Sequence, residues 1–332
     1  MGIARNLVDA ARNLAMSSSA DSDRAFRLRL DERVPDGIRR IARGQLDNAR
    51  DELDATPSRR IGDAVHATRK RFKRLRATVR LSRDAIGERT YDHENTALRM
   101  AGRRIAAPRD AQVLLDTLDA LTERYSEELP KAATAALRDR LERDRKIATA
   151  SLTEGDGDIA ATHAAIAGAL VRTPAWTFER DGFDALRPGL KRIYRRGREA
   201  MRAARADPTA DNLHEWRKRV KDLWHVGELL REAHPKPMKR LARDAHALSG
   251  LLGDHHDLSG LRDYIEANPQ LFSDTTARGG LLAVLDRRSE TLQRRALKLG
   301  RRVYERKPKR FVADIERGWN KRVRRRPRPL AG

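Results

Sequence analysis

The chain has 332 residues and a net charge of +23, set by 71 Lys and Arg against 48 Asp and Glu. It contains no cysteine, which excludes disulfides, thiolate catalysis and Cys-ligated zinc. Charged residues are 36% and apolar residues 39%, a balance that fits long helices with narrow apolar stripes; the excess positive charge favours a phosphate-rich partner.

Residues 1–25 read as a peripheral segment. MGIARNLVDAARNLAM is amphipathic, carries only Arg5 and Arg12, and lacks the long apolar core of a secretion signal. Asn6 stands where a myristoylation motif wants Ser or Thr. SSSADSD (17–23) reads as a linker. No apolar run in the chain approaches the roughly 18 residues that span a bilayer. These features predict a cytoplasmic protein with no membrane partner.

From residue 35 the periodicity is helical almost to the end. Helices are predicted near 35–54, 59–85, 88–106, 109–127, 130–152 and 157–172. A break follows at Thr173-Pro174-Ala175, and a second series runs near 182–206, 210–232, 236–252, 256–267, 276–300 and 308–322. With no convincing period-2 segment, the fold class is all-α. Pro108 at a helix start puts Asp110 in the first turn, where its charge meets the helix dipole. Asp254 is expected to cap the helix at 256–267, with Asp257 in its first turn.

One element occurs twice. VHATRKRFKRLR begins at Val65 and LHEWRKRVKDLW at Leu213, an offset of 148. The segments APRDAQVLLDTL and LGDHHDLSGLRDYI repeat at an offset of 147. Two motifs at one period predict an internal duplication: a first helical bundle over 26–175, a second over 176–320, and a basic tail over 321–332. A period this long is not that of a solenoid.

In the first copy Ile61, Val65, Thr68, Phe72, Leu75 and Val79 follow 4-3-4-3-4 spacing, a bundle seam. His66, Arg69, Lys70, Lys73, Arg76 and Arg80 occupy the neighbouring face, and no carboxylate lies between Asp63 and Asp84. Like charges at i+3 and i+4 repel by a few tenths of a kcal/mol each, roughly, so a helix built this way is explained best by a bound anion. In the second copy Leu213, Trp216, Val220 and Leu223 form the seam. His214, Arg217, Lys218, Lys221 and His225 lie beside it, diluted by Glu215 and Asp222. Further candidate cations are Arg40 and Arg43, Arg104 and Arg109, Arg195, Lys239 and Arg243.

These residues resemble the CHAD domain, a helical domain named for its conserved histidines. The resemblance rests on VHATRKRFKRLR, LHEWRKRVKDLW, the Arg-Asp of APRDAQVLL (107–115) and its partner HHDLSGLRD (255–263), and spans roughly residues 30–320. It implies two bundles related by pseudo-twofold symmetry, with basic residues lining a central groove that binds inorganic polyphosphate without catalysis, and an association with polyphosphate granules. By position it assigns His66, Arg69, Lys73, Arg76, Arg109 and Asp110 in the first half, and His214, Arg217, Lys218 and Lys221 in the second. His256 departs from the pattern, as do Asp222 and Trp224. No acidic ExExK-type strand accompanies the domain.

Two other readings follow from the residues. The basic tail NKRVRRRPRP (320–329) suits non-specific nucleic-acid binding, although aromatics are only 5% and fall mostly on apolar seams. His255-His256-Asp257 invites metal-dependent phosphohydrolysis, but HExxH and paired-carboxylate signatures are missing and cations beside His66 and His214 disfavour a metal ion. The reading carried forward is a non-enzymatic polyphosphate binder with no cofactor or metal, whose histidines add charge as pH falls through about 6.5.

Overall fold

A computed structural model describes residues 23–55, 61–154, 157–272 and 274–325. The expectations for residues 1–22 and for the end of the basic tail, 326–332, lie outside them. Eleven α-helices and no strand occur among the described residues. In chain order they are α1 (Val34–Asp54), α2 (Ile61–Ile86), α3 (Glu88–Arg104), α4 (Ala107–Arg124), α5 (Lys131–Glu154) and α6 (Asp158–Arg172). After short 3-10 turns at Thr173–Ala175 and Gly182–Ala185 come α7 (Arg187–Ala206), α8 (Ala210–Leu229), α9 (Pro235–Ala267), α10 (Thr275–Val303) and α11 (Pro308–Arg324).

The local chemistry explains most of these bounds. Pro35, Pro108, Pro188, Pro235 and Pro308 stand in the first turns of α1, α4, α7, α9 and α11, where a missing N–H is not needed. Thr209 caps α8 by accepting from the Asn212 amide, and Asp274 caps α10 by accepting from Thr276 and Ala277. The helix predicted over 182–206 is split, because Gly182 adopts a positive φ of 57° and Pro188 cannot continue a helix already begun.

The two helices predicted at 236–252 and 256–267 are a single 33-residue helix, and Asp254 is an interior residue rather than a cap. The first half breaks at the corresponding point because Pro108 has no amide to donate. The second half has no proline there, and Gly253 stays helical. α9 is therefore about 50 Å long and links two cores.

The larger core joins α1, α2, α3, α6, α7, α8 and α11 to the N-terminal part of α9 through Met238, Ala245, Leu248 and Leu252. The smaller core joins α4, α5 and α10 to its C-terminal part through Leu258, Leu261 and Ile265. Every predicted seam residue of α2 and α8 is buried, from Ile61 to Val79 and from Leu213 to Leu223. Adjacent pairings run α1–α2, α2–α3 and α4–α5 in the first half, and α7–α8, α8–α9 and α9–α10 in the second. Between the halves, α2 packs on α7 and α8, and α4 packs on α9.

The α2–α7 crossing is close enough to need a glycine. A Cβ at Gly189 would stand 1.8 Å from the Leu81 carbonyl oxygen. Arg192, one turn along, fixes the same crossing with an ion pair to Asp84 at 2.8 Å and a bond to the Arg80 carbonyl at 3.2 Å. Gly189→Ala should lower stability by about 3 kcal/mol, because backbone and not a pliant side chain must move. Urea denaturation should give a lower midpoint with an unchanged slope.

Candidate anion-binding site

The two His helices meet in the middle of the molecule. α2 contributes His66, Arg69 and Lys73; α8 contributes His214, Arg217 and Lys221. The first turn of α4 adds Arg109 and Asp110, and the middle of α9 adds Asp254, His256 and Asp257. Mutual electrostatic influence ties these groups together. Lys73 feels Arg69, Arg217 and Arg109, and Lys221 feels Arg217, Lys73 and Arg69. The sequence-predicted residues His66, Arg69, Lys73, Arg109, His214, Arg217 and Lys221 thus come together in one cleft.

Each arginine of the pair has a glycine beside it on the next helix. Arg69 donates to the Gly102 carbonyl at 3.1 Å and reaches Asp110 at 3.5 Å. Arg217 lies across Gly253, whose added Cβ would meet its Nε at 3.4 Å. Arg217 Nε and His214 Nδ1 are buried with no hydrogen-bond partner among the described residues. Buried donors of this kind normally find one, so their state leaves the cleft ready for an acceptor.

The charge balance drives the same way. Lys73 falls to about 8, first through burial and then through Arg69 and Arg217, with Asp110 opposing. Lys221 falls to about 7, first through burial and then through Arg217 and Lys73, with Asp257 opposing. Lys73 is nonetheless solvent-exposed by surface area and Lys221 is half-buried. Side chains that touch water yet have protein around most of them sit on the floor of a concave surface. There, both desolvation and like-charge repulsion act on the ammonium form.

The histidines are lowered too. For His66 burial leads and Arg109 follows; for His214 burial leads and Lys218 follows. His256 falls to about 4 through burial and then His214, whose ring lies 4.1 Å away centroid to centroid. The three are therefore neutral at pH 7, and the charge gain expected near 6.5 moves to lower pH. Asp257 is raised, by burial and by Asp254, against the pull of Arg217, Lys221 and Arg109. His256, Asp254 and Asp257 belong to the cleft, although in the sequence the two aspartates read as helix-start residues. Their spacing on one face of an unbroken helix is the signal that would have found them.

Beside the cleft, α4, α9 and α10 enclose a cavity of about 580 Å³, with Arg109 and Asp257 on the shared wall. Arg109 is ion-paired to Asp116 at 3.0 Å. Arg76 lies further along α2, donating to Asn95 at 3.1 Å and lowered to about 10 by burial and by Arg80. Arg80 is paired with the largely buried Asp222 of α8 at 2.7 Å. Lys70 is exposed, and exposed Lys218 is paired with Glu215.

The other candidates lie apart. Arg40 is held by Glu32 at 2.7 Å and by the carbonyl of Arg27, fastening the residues that precede α1. His225 is 3% exposed, edge-on to Phe26 and 3.7 Å from Glu228, so the predicted exposed face ends before it. Arg104, Lys239, Arg43, Arg195 and Arg243 face solvent. The last three reach only Asp47, Glu199 and Asp244 on their own helices.

Among the described residues no group of three or more His, Cys, Asp or Glu side chains is arranged to hold a metal ion, and no helix is long and apolar enough to cross a membrane. His255 is the most buried of its trio.

Fold and cleft together define an all-helical protein whose basic residues converge on an anion-receptive junction. The sequence matches the CHAD domain over residues 40–266, more than half of the chain, and the chain belongs to that family. Comparison with curated proteins finds no match.

The lowered lysines can be observed directly. With methylene-labelled lysine in anion-free buffer, Lys221 should titrate near 7 and Lys73 near 8, well below the ordinary lysine range. Assignment by Lys221→Arg and Lys73→Arg would remove one resonance each. Ordinary midpoints for both would mean that the two helices do not crowd their charges.

Proposed function

We propose that the chain is a non-catalytic binding module for inorganic polyphosphate, held in the cleft where α2 and α8 cross. The observation that carries this reading is the convergence of Lys73, Lys221, Arg69, Arg109 and Arg217, which outnumber the carboxylates beside them, Asp110, Asp254, Asp257 and the Asp116 paired with Arg109. A polyanion relieves that repulsion. Arginine forks grip phosphate oxygens, lysines act as point charges, and Arg217 Nε and His214 Nδ1 offer donors that lack a protein partner.

Nucleic acid is the poorer fit. None of the chain's Phe, Tyr or Trp side chains is exposed, so bases have no stacking platform. Polyphosphate has no bases and asks only for cations along a track. The reading extends to a duplicated origin: α1, α2 and α3 pair in the same order as α7, α8 and the start of α9, and α4–α5 corresponds to the end of α9 with α10. It also extends to a cytoplasmic location at polyphosphate-rich bodies and to an absence of turnover. Phosphate release on adding Mg²⁺ or Mn²⁺ would overturn the last point.

Two measurements test the binding. Long-chain polyphosphate should bind more tightly than tripolyphosphate or DNA at physiological salt, with log affinity falling by roughly 0.7 per neutralised phosphate against log salt. Lys73→Ala with Lys221→Ala should weaken binding by about a hundredfold, at roughly 1.4 kcal/mol for each lost charged contact. Equal binding of all three ligands, or no effect of the double substitution, would overturn the reading.

The pH dependence has a definite sign. A bound polyanion raises the lysine pKa values above the free values of about 7 and 8. Both lysines are protonated in either state only well below pH 7, so affinity becomes flat with respect to them toward pH 6. Affinity falls as pH rises through the free values, by at least roughly tenfold between pH 7 and 9. Calorimetry in buffers of different ionisation enthalpy should register proton uptake at pH 8, and Lys73→Arg with Lys221→Arg should abolish both effects.

A further inference from the structure

The basic face of α2 does not end at the crossing. Arg69, Lys73, Arg76, Arg80 and Arg83 are spaced 4, 3, 4 and 3, a straight stripe along one side of the helix. From Lys73 to Arg83 the stripe advances about 15 Å. At its far end α2, α7 and α8 form a narrow notch lined by Arg80, Arg83, Arg192, Arg196 and Arg219, with Asp222 the single acidic group in its wall. Arg83, Arg196 and Arg219 were not among the candidate site residues read from the sequence.

Most of these arginines have a local partner. Arg80 is paired with Asp222, Arg83 with Glu88, Arg192 with Asp84 at 2.8 Å and Arg219 with Glu215 at 3.1 Å. Arg196 has neither a hydrogen bond nor an ion pair among the described residues, and is exposed. It is lowered by burial of part of its surroundings and then by Arg219, Arg192 and Arg83. Four guanidinium groups thus converge on a point where the wall offers one carboxylate, itself already engaged by Arg80. The notch holds about 10 Å³, room for one oxygen-sized group and not for a small molecule. Such a shape suits a phosphoryl oxygen of a chain lying along the surface.

We propose that Arg83, Arg192, Arg196 and Arg219 form a second anion subsite, reached along Arg76 and Arg80, which engages only polyphosphate chains long enough to extend beyond the Lys73–Lys221 crossing. This rests on the polyphosphate reading of the cleft and adds to it a physical basis for chain-length preference. The crossing holds any phosphate oligomer, whereas the notch adds contacts for long ones alone. Arg196 is the side chain that carries the subsite, because its charge is not already committed.

The test compares two ligands on three variants of the full chain. Arg196→Ala and Arg196→Glu should weaken long-chain polyphosphate by about tenfold and more than tenfold respectively, and leave tripolyphosphate unchanged. Arg196→Lys should recover most of the loss, and with Arg196→Ala the salt dependence for the long chain should become shallower by roughly 0.7. Arg196 is exposed, so thermal unfolding should be unaltered in all three. Unchanged long-chain affinity, in a protein where the Lys73 and Lys221 substitutions do abolish binding, would overturn the subsite and leave the cleft reading standing. Equal weakening of both ligands would also overturn it, since a subsite beyond the reach of tripolyphosphate cannot affect that ligand. If the Lys73 and Lys221 substitutions have no effect, the cleft reading itself fails.

Discussion

The structure turns on a repulsion that the fold imposes. Lys73 and Lys221 stand on helices that pack against each other, with Arg69, Arg109 and Arg217 around them. Nothing in the isolated sequence of either helix would bring them together. What does so is the burial of the seams directly beside them. Val65, Phe72 and Leu75 on α2, and Leu213, Trp216 and Val220 on α8, are each 3% exposed or less. At about 1.5–3 kcal/mol for each large apolar side chain, that burial greatly exceeds a few surface-type repulsions of tenths of a kcal/mol. The cleft is thus a place where the hydrophobic effect holds like charges closer than they would stay alone.

Counter-charge is distributed so as to leave the crossing cationic. Asp110 sits in the first turn of α4 and touches Arg69, Asp222 is committed to Arg80, and Asp257 with Asp254 faces Arg217 from α9. Each carboxylate faces an arginine, the residue that cannot lose its proton. The lysines receive only indirect relief. Removing charge from a permanently charged group is impossible, so the carboxylates stabilise those positions and the lysines adjust by releasing protons. Asp222, which looked in the sequence like a weakening of the second basic face, instead ties α8 to α2 at the point where the stripe passes from the cleft toward the notch.

Much of this was legible in the sequence where the determinant is local. Helix bounds came within a few residues at α4, α8, α10 and α11, where a proline or a cap set them, and the seams were fixed by 3-4 spacing alone. The errors have tertiary causes. Gly253 reads as a break, yet it remains helical and its missing side chain makes room for Arg217 on the neighbouring helix. His225 continues the spacing of His214, Lys218 and Lys221, but Phe26 from the residues before α1 covers that end of α8. Arg40 has the composition of a ligand contact and the position of a clamp, which only the path of residues 23–32 reveals. Arg196 looked like any solvated arginine, since nothing in the sequence of α7 indicates that Arg83 and Arg219 converge on it.

The histidines take on a different part once the cleft is assembled. A charged imidazole would add to the crowding, and burial first, with Arg109, Lys218 and His214 next in turn, keeps His66, His214 and His256 neutral at pH 7. A neutral ring has one donor and one acceptor. Beside phosphate it can donate without adding charge, and its other nitrogen can accept a hydrogen bond from a neighbouring ammonium or guanidinium group. His214 Nδ1 is buried without a partner among the described residues, its ring tilted against that of His256 4.1 Å away. The histidines thus define geometry in the cleft and the lysines carry its variable charge. That division explains why histidine and base recur together on both helices, where a lysine at the histidine position would raise the repulsion the seams already have to overcome.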